Sequence, residues 1–303
     1  MELRHLRYFL AVAEEGNITR AAERLHIAQP PLSRQIQQLE DFLGVTLFVR
    51  GVRPLQLTEA GLHLQKQAAQ LIHQSKVLIS STRQVGKVDA KFTMAFVGST
   101  LYGLLPEVAR RFQAAHPNVD FSLVEMLTLE QNRALKEGEI DVGIGRIRVD
   151  DPNVRRILLR DEPLVAAVPS NHRLAGAATV SMQDLAAETL ILFPQSPRPS
   201  FADLVLEAFH DRGLEPERII ETRELQISLG LVAAGMGVTI VPKSALGLQR
   251  RDVVFREFND ARLVSPVFMS IRINDKSEYV LSLQQLVYEL YREEGIPHYE
   301  EAL

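Results

Sequence analysis

The chain has 303 residues, about twice the length of an average domain, and its composition (46% hydrophobic, 24% charged) excludes a largely disordered protein. It contains no cysteine, which excludes disulfides, thiolate metal ligands and a cysteine nucleophile. The net charge of −4 is divided unevenly: residues 1–91 carry +4 and the remainder −8, so we expect the basic N-terminal part to meet a polyanion.

The first 58 residues are predicted to form three short helices and a small hairpin. The helices follow from apolar residues at helical spacing and from capping residues at their ends, and they comprise 3–13, a helix after Asn17 or Thr19, and a helix from Pro30–Pro31 to Gly44. The hairpin pairs 46–49 with 55–58, and Arg50 and Arg53 lie at its basic tip.

The third helix has the composition expected of a helix that reads DNA. Its start exposes short polar and basic residues, which fit the major groove. Arg34 can donate to guanine, and Gln29 or Gln37 can read adenine. The remaining residues expected near the DNA are Pro30, Pro31, Ser33, Arg50 and Arg53.

Residues 59–88 are predicted to form one long helix with a 3.5-residue apolar repeat. The repeat positions are Leu57, Gly61, Leu64, Ala68, Leu71, Ser75, Leu78, Thr82 and Val85. Such a repeat predicts packing against the helix of a partner chain. The alternative is an amphipathic helix that lies on its own domain.

From residue 92 onward, predicted strands and helices alternate, which favours an α/β fold with a mostly parallel sheet. The predicted strands are 92–97, 119–126, 140–145, 164–168, 189–193, 219–222, 238–241 and 267–273, and the predicted helices are 104–115, 129–137, 182–185, 201–212, 225–234 and 279–292. These residues form either one large domain or two lobes with a cleft at the strand ends.

Hydroxyl side chains are predicted at the ends of two of these strands. Ser99 and Thr100 precede a helix, and Thr128 opens a capping box at 128–131. Two helix N-termini would then face one crevice, which is a favourable site for a carboxylate. Each hydroxyl could instead act only as a helix cap.

The N-terminal residues resemble the winged helix-turn-helix of LysR-type transcriptional regulators. The resemblance rests on MELRHLRYF at 1–9, AAERL at 21–25, AQPPLSRQI at 28–36 and LTEAG at 57–61, and VAAGMGV at 232–238 extends it to the rest of the chain. It implies a DNA-binding domain at 1–58, a dimerising linker helix at 59–88 and a two-lobed, periplasmic-binding-protein-like effector domain at 89–303. The first lobe would comprise about 89–161 and 266–303, and the second about 162–265.

Within that family, four segments resemble regulators of aromatic-compound catabolism that respond to cis,cis-muconate and related acids: GSTLYGLLPE at 98–107, GIGR at 143–146, RPSF at 198–201 and TRELQ at 222–226. The resemblance implies a primary effector pocket lined by Ser99, Thr100, Thr128, Arg146, Pro199, Phe201 and Val267. It also implies a second, more apolar pocket for an aromatic acid, lined by Leu105, Arg160 and Tyr291. Arg146 could instead form a surface salt bridge.

The resemblance implies a regulator that binds an interrupted operator in double-stranded DNA as a dimer of dimers, with RNA polymerase as a further partner. A LysR-type regulator of another operon, with a different effector, is the alternative. A periplasmic solute-binding protein would need an export signal, but the apolar run at 8–13 is too short for one.

Other classes of function find little support in the sequence. An enzyme would need a nucleophile or a metal cluster, and the scattered histidines and the absence of nucleotide-binding motifs predict no metal site, no cofactor and no enzymatic activity. No apolar stretch approaches the roughly 18 residues of a membrane span. We therefore expect a soluble, cytoplasmic protein that contacts no membrane.

Overall fold

The computed structural model describes residues 1–49, 51–52, 54–85, 90–273 and 275–301. The chain divides into two compact units, Met1–Ala90 and Lys91–Leu303. No described helix is both long enough and apolar enough to cross a membrane.

The described residues of the N-terminal unit form helices and one β-bridge, between Phe48 and Leu57. Its helices are α1 (Leu3–Glu15), α2 (Ile18–Arg24), α3 (Gln29–Leu43) and α4 (Glu59–Val85). The Asn17 carboxamide caps α2 by accepting from the backbone N–H groups of Thr19 and Arg20. Gly44 ends α3 in the left-handed conformation at φ 69°, which glycine adopts without strain.

The first half of α4 packs within its own chain. The side chains of Ala68 and Ile72 form a buried cluster with Leu6 of α1. Gly61 lies so close to the Leu47 carbonyl oxygen that a Cβ atom would sit 2.2 Å from it, so only glycine fits there. The alternative of an amphipathic helix on its own domain is therefore correct for the first half of the repeat.

The second half of α4 has a different surface. Leu71 is 44% exposed and Leu78 is 66% exposed, although both occupy positions of the apolar repeat. These two leucines give the second half of the repeat an exposed apolar surface. The repeat thus contains a part that is buried inside the chain and a part that is exposed.

The second unit is an α/β structure with two large hydrophobic cores and one smaller cluster. Its described strands are β1 (Ala90–Phe96), β2 (Val119–Glu125), β3 (Val142–Gly145), β4 (Val154–Pro169), β5 (Thr179–Val180), β6 (Thr189–Leu192), β7 (Arg218–Glu221), β8 (Val238–Pro242), β9 (Val253–Phe258) and β10 (Val264–Arg272). Its described α-helices are α5 (Leu105–Ala115), α6 (Thr128–Glu137), α7 (Met182–Ala186), α8 (Phe201–His210), α9 (Leu225–Ala233) and α10 (Glu278–Glu293), and three short 3-10 helices cover Gly98–Tyr102, Arg173–Gly176 and Lys243–Gly247.

The strand order is β2-β1-β3-β10-β4-β8-β6-β7, with β9 paired to β4 and β5 paired to β9. The pairs β1–β3, β6–β7, β6–β8 and β5–β9 are parallel, as expected. The pairs β3–β10, β4–β10, β4–β8 and β4–β9 are antiparallel. The prediction of a mostly parallel sheet is therefore only half right. Because β4 belongs to both cores, it crosses from one lobe to the other, and a cleft lies beside the crossing.

Candidate functional site

The first cavity lies in the cleft between the two lobes and has a volume of about 720 Å³ including its open mouth. On one side it is bounded by the chain that follows β1 and β2, and on the other by the segment before α8 and the start of α9. The structure brings five of the expected pocket residues to this cavity: Ser99, Thr128, Arg146, Pro199 and Phe201.

The start of α6 differs from the sequence prediction. Leu127 is the residue that precedes the helix, and its backbone N–H donates to the Glu130 carboxylate at 3.0 Å. The predicted capping box at 128–131 is therefore wrong, because the extended backbone ends one residue earlier than expected and the helix already begins at Thr128. Thr128 is the first helical residue and does not act as the cap. Its hydroxyl lies near Gly145 at the end of β3, beside the cavity.

The segment before the predicted helix 104–115 also differs from the prediction. A 3-10 helix at Gly98–Tyr102 stands between β1 and α5. Ser99 lies in this short helix, and its hydroxyl accepts a hydrogen bond from Arg146 Nε at 2.8 Å. Since a hydroxyl that accepts can still donate, the Ser99 proton is left to point to another acceptor.

Arg146 is buried, with 3% of its side chain exposed, so the alternative of a surface salt bridge is wrong. Its guanidinium donates to three side chains: Ser99 as above, Ser265 at 3.3 Å from Nη1, and Glu162 at 2.6 Å from Nη2. Glu162 is 1% exposed and also accepts from the Ser244 backbone N–H at 2.7 Å. Arg146 is thus paired with a buried carboxylate at the point where β4 crosses between the lobes.

Two guanidinium groups share that carboxylate. Arg160 Nη2 lies 3.2 Å from Glu162 Oε2, the oxygen that also binds Arg146. Burial alone would raise the pKa of Glu162, but the charges of Arg146 and Arg160 lower it below its ordinary value. Burial lowers the pKa of Arg146, yet a guanidinium begins so high that it stays protonated. Glu162 is therefore ionised and holds both cations.

The second cavity, of about 410 Å³, lies on the other side of Arg146. The structure brings together here the three residues expected for the second pocket, Leu105, Arg160 and Tyr291. Thr100 and Val267 also line this cavity, so their assignment to the first pocket is wrong. Thr100 turns away from the cleft because its hydroxyl donates to the Val97 carbonyl at 2.8 Å.

The polar groups of the second cavity are partly unpaired. Arg160 Cζ lies 5.5 Å from the centre of the Tyr291 ring, which fixes the guanidinium against an aromatic face. Burial raises the pKa of Tyr291 although the charge of Arg160 opposes this, so the phenol remains neutral. Within the described part of the chain, Arg160 Nε and Ser244 Oγ are buried without a hydrogen-bond partner. Two donors therefore remain for a ligand in an otherwise mainly apolar cavity.

The predicted DNA-contacting residues fall on one side of α3. Leu32, Ile36 and Leu39 are buried in the core of the N-terminal unit. The opposite side is exposed at Gln29, Pro30, Pro31, Arg34 and Gln37, and Ser33 is half-buried. Arg50 and Arg53 at the predicted hairpin tip lie outside the described residues.

No group of described side chains is arranged to hold a metal ion. The sequence did not single out Glu162, Ser244 and Ser265, which organise the two cavities with Arg146. Local sequence carries little signal for them, because they come from β4, a 3-10 helix and β10 and meet only in the folded sheet.

The N-terminal unit has an exposed polar face on α3, and the second unit has a cleft between two lobes. These are the parts of a transcriptional regulator that is controlled by a small ligand. Residues 3–62 match the family described as bacterial regulatory helix-turn-helix protein, lysR family, and residues 86–289 match the LysR substrate binding domain. The chain belongs to the LysR family of transcriptional regulators.

Known relatives agree over nearly the whole length. The transcriptional regulator BenM of Acinetobacter baylyi (strain ATCC 33305 / BD413 / ADP1) is 43% identical over 297 residues, which cover 97% of this chain and 98% of BenM. A solved structure of the BenM effector-binding domain with its effector benzoate superposes with a TM-score of 0.68 at 40% identity, covering 70% of this chain and 97% of that one. Full-length CbnR in complex with its target DNA superposes with a TM-score of 0.62 at 33% identity, covering 95% of this chain and 99% of that one.

Proposed function

We propose that this regulator binds an interrupted operator through α3 and is switched by a small carboxylate in the interlobe cleft, with cis,cis-muconate or a related acid of aromatic catabolism as the effector. The observation that carries the proposal is the polar end of the cleft, where the Ser99 hydroxyl is held by Arg146 and retains a proton to donate. The benzoate bound by BenM supports the chemical class of the ligand.

The cavity is lined by the exposed Arg223, and hydrogen-bond donors add to the positive potential for an anion. Arg146 is paired with Glu162 and is not a free cation. The backbone N–H groups in the first turn of the ten-residue helix α6 lack partners within the helix, and Thr128 stands at that end. Together with the Ser99 hydroxyl they favour a carboxylate at this end of the cleft.

The second cavity is proposed to take an aromatic acid. Its carboxylate would accept from Arg160 Nε and the Ser244 hydroxyl, the two buried donors without partners among the described residues. The apolar side chain of Leu105 would contact the ring. Benzoate is a simple ligand of this kind.

Calorimetric titration of the full chain with cis,cis-muconate and with benzoate tests both cavities. We expect each acid to bind alone and also in the presence of saturating amounts of the other, since the cavities are separate. A folded protein that binds neither acid would contradict the effector proposal. Membership of the LysR family would not be affected by that result.

The DNA part of the proposal is tested by replacing an exposed residue of α3. Arg34→Ala should weaken binding to the operator by about 1–3 kcal/mol, because a bidentate contact to a guanine edge is lost. Arg110→Ala, an exposed arginine of the second unit, is the matched control. Equal losses on operator and random DNA would mean that Arg34 contacts only phosphate.

The proposed assembly is a homodimer through α4, combined into a tetramer on the operator. The exposed Leu71 and Leu78 of the apolar repeat support the dimer. The two half-sites of an interrupted operator require two recognition helices at a fixed spacing, which a dimer provides.

A further inference from the structure

The segment that follows α10 does not extend away from the second unit. Residues 296–301, here called the strap, lie along β4. The backbone N–H of Tyr299 donates to the Leu159 carbonyl at 2.8 Å, and the Tyr299 hydroxyl donates to Asp161 Oδ2 at 2.9 Å. Leu159 and Asp161 are the two neighbours of Arg160, so the strap is bonded to β4 on both sides of the arginine that faces the second cavity.

The strap meets β4 at an irregularity of the sheet. In the β4–β10 ladder Arg160 pairs with Val267, whereas Phe268 pairs with Leu158, so Leu159 is an extra residue. A bulge of this kind changes the direction of the neighbouring side chain. The strap bonds the backbone of the bulged residue itself and thereby restrains the direction in which Arg160 points.

The strap also supports the aromatic wall of the second cavity. The His298 ring packs on Tyr291 with 5.6 Å between the ring centres. Its own orientation is fixed at both nitrogens: Nδ1 lies 2.8 Å from the Ile296 carbonyl oxygen and Nε2 lies 3.0 Å from the Glu300 carboxylate. The strap therefore contacts Tyr291 and also the backbone beside Arg160. The guanidinium of Arg160 and the ring of Tyr291 face each other, with 5.5 Å from Cζ to the ring centre.

The far end of the strap is anchored independently of these contacts. The Glu301 backbone N–H donates to the Tyr288 hydroxyl at 3.1 Å, and its carbonyl accepts from Gln284 Nε2 at 2.8 Å. Its carboxylate lies 2.7 Å from Arg155 Nη2 at the beginning of β4. Because Glu301 ties the strap to both α10 and β4, loss of one bond at Tyr299 should not detach it.

We propose that the strap is a positioning element for the second cavity, which holds Arg160 and Tyr291 in the orientation that receives the carboxylate of an aromatic acid. The inference rests on the ligand class proposed above for that cavity. It adds His298 and Tyr299 as positioning residues that do not touch the ligand. The strap should therefore affect the second cavity without affecting the first, to which it contributes no lining residue among those described.

The test compares the affinities of the full chain for benzoate and cis,cis-muconate by calorimetry. Tyr299→Phe removes only the hydroxyl bonded to Asp161, and His298→Ala removes the ring that packs on Tyr291. Each should weaken benzoate binding about two- to tenfold, the range of one net hydrogen bond. Muconate affinity should stay within a factor of two. Tyr279→Phe, at the opposite end of α10, is the matched control and should change neither affinity.

The possible results separate the explanations. Unchanged benzoate affinity in both variants would overturn the positioning role. Equal weakening of both acids, accompanied by a lower melting temperature, would also overturn it, since a merely structural segment would act that way. A wild-type chain that binds muconate but not benzoate would overturn this inference and leave the cleft proposal standing, whereas a chain that binds neither acid would overturn both.

Discussion

Replacing Glu162 with leucine tests whether the buried charge cluster is organised as described. Leucine has a similar volume and no charge, so the change removes the carboxylate without leaving a large cavity. Three donors then lose their acceptor: Arg146 Nη2 at 2.6 Å, Arg160 Nη2 at 3.2 Å and the Ser244 N–H at 2.7 Å.

The magnitude follows from what remains after the change. Arg146 is 3% exposed and cannot turn to water, so its charge stays buried without compensation. Breaking a buried ion pair by removing one partner costs about 3–5 kcal/mol of unfolding free energy. Total stabilities of about 5–15 kcal/mol are usual, so Glu162→Leu should remove a large part of the stability of the second unit.

Urea unfolding of the full chain, followed by far-ultraviolet circular dichroism, measures this change. Glu257→Leu is the matched control, because Glu257 pairs with Lys243 at 2.7 Å but is 64% exposed, and an exposed pair contributes little. The double variant Arg146→Met/Glu162→Leu should recover part of the loss, since the buried charge is removed together with its partner. If Glu162→Leu shifted the midpoint no more than Glu257→Leu, the carboxylate would not be holding the two cations.

Three further outcomes follow from other parts of the chain. Leu71→Glu places a charge in the exposed part of the α4 repeat and should dissociate the proposed dimer in sedimentation, while an unchanged oligomer would exclude α4 as the dimer contact. Ser99→Ala removes the donor at the polar end of the cleft and should weaken muconate binding by about 0.5–1.5 kcal/mol in calorimetry, or by up to about 3 for a bond to a carboxylate. Hydrogen bonds from Arg110 and Arg111 lower the pKa of Glu107 from its ordinary 4.5 to about 2. The stability that it contributes is therefore complete above pH 4.5 and is lost as the pH falls towards 2, so melting temperatures of the wild type and Glu107→Gln should converge over that interval.

Elements that depend on local chemistry could be predicted from the sequence. The cap of α2 was predicted to be Asn17 or Thr19 and the end of α3 to be Gly44; the structure has Asn17 as the cap and ends α3 at Gly44. The apolar repeat of α4 was also visible, but its division into a buried part and an exposed part was not. The buried part packs on Leu6 of α1, and the fold of the N-terminal unit creates that contact.

Elements set by contacts distant in sequence were predicted poorly. Only 164–168 of β4 was expected to be a strand, whereas the structure has Val154–Pro169. The first half of β4 contains several charged residues, including Arg155 and Arg156, so it lacks the apolar run that signals a buried strand. It is nevertheless extended because β10 pairs along its length. The strand β9 (Val253–Phe258) was missed altogether, and it pairs with the other half of β4.

The burial of charged residues at the candidate site was also not predictable from the local sequence. In the sequence, Arg160, Asp161 and Glu162 form a run of charged residues that is typical of a solvated surface. In the structure this run lies where β4 passes between the lobes, and the end of β3 delivers Arg146 to Glu162 from 16 residues away. Glu162 pairs with Arg146, so this arginine is not free in the first cavity, although the two guanidinium groups and one carboxylate together keep one net positive charge. An anion in the cleft depends on such local groups, and its affinity should depend more on Ser99 than on the net charge of the surrounding acidic unit.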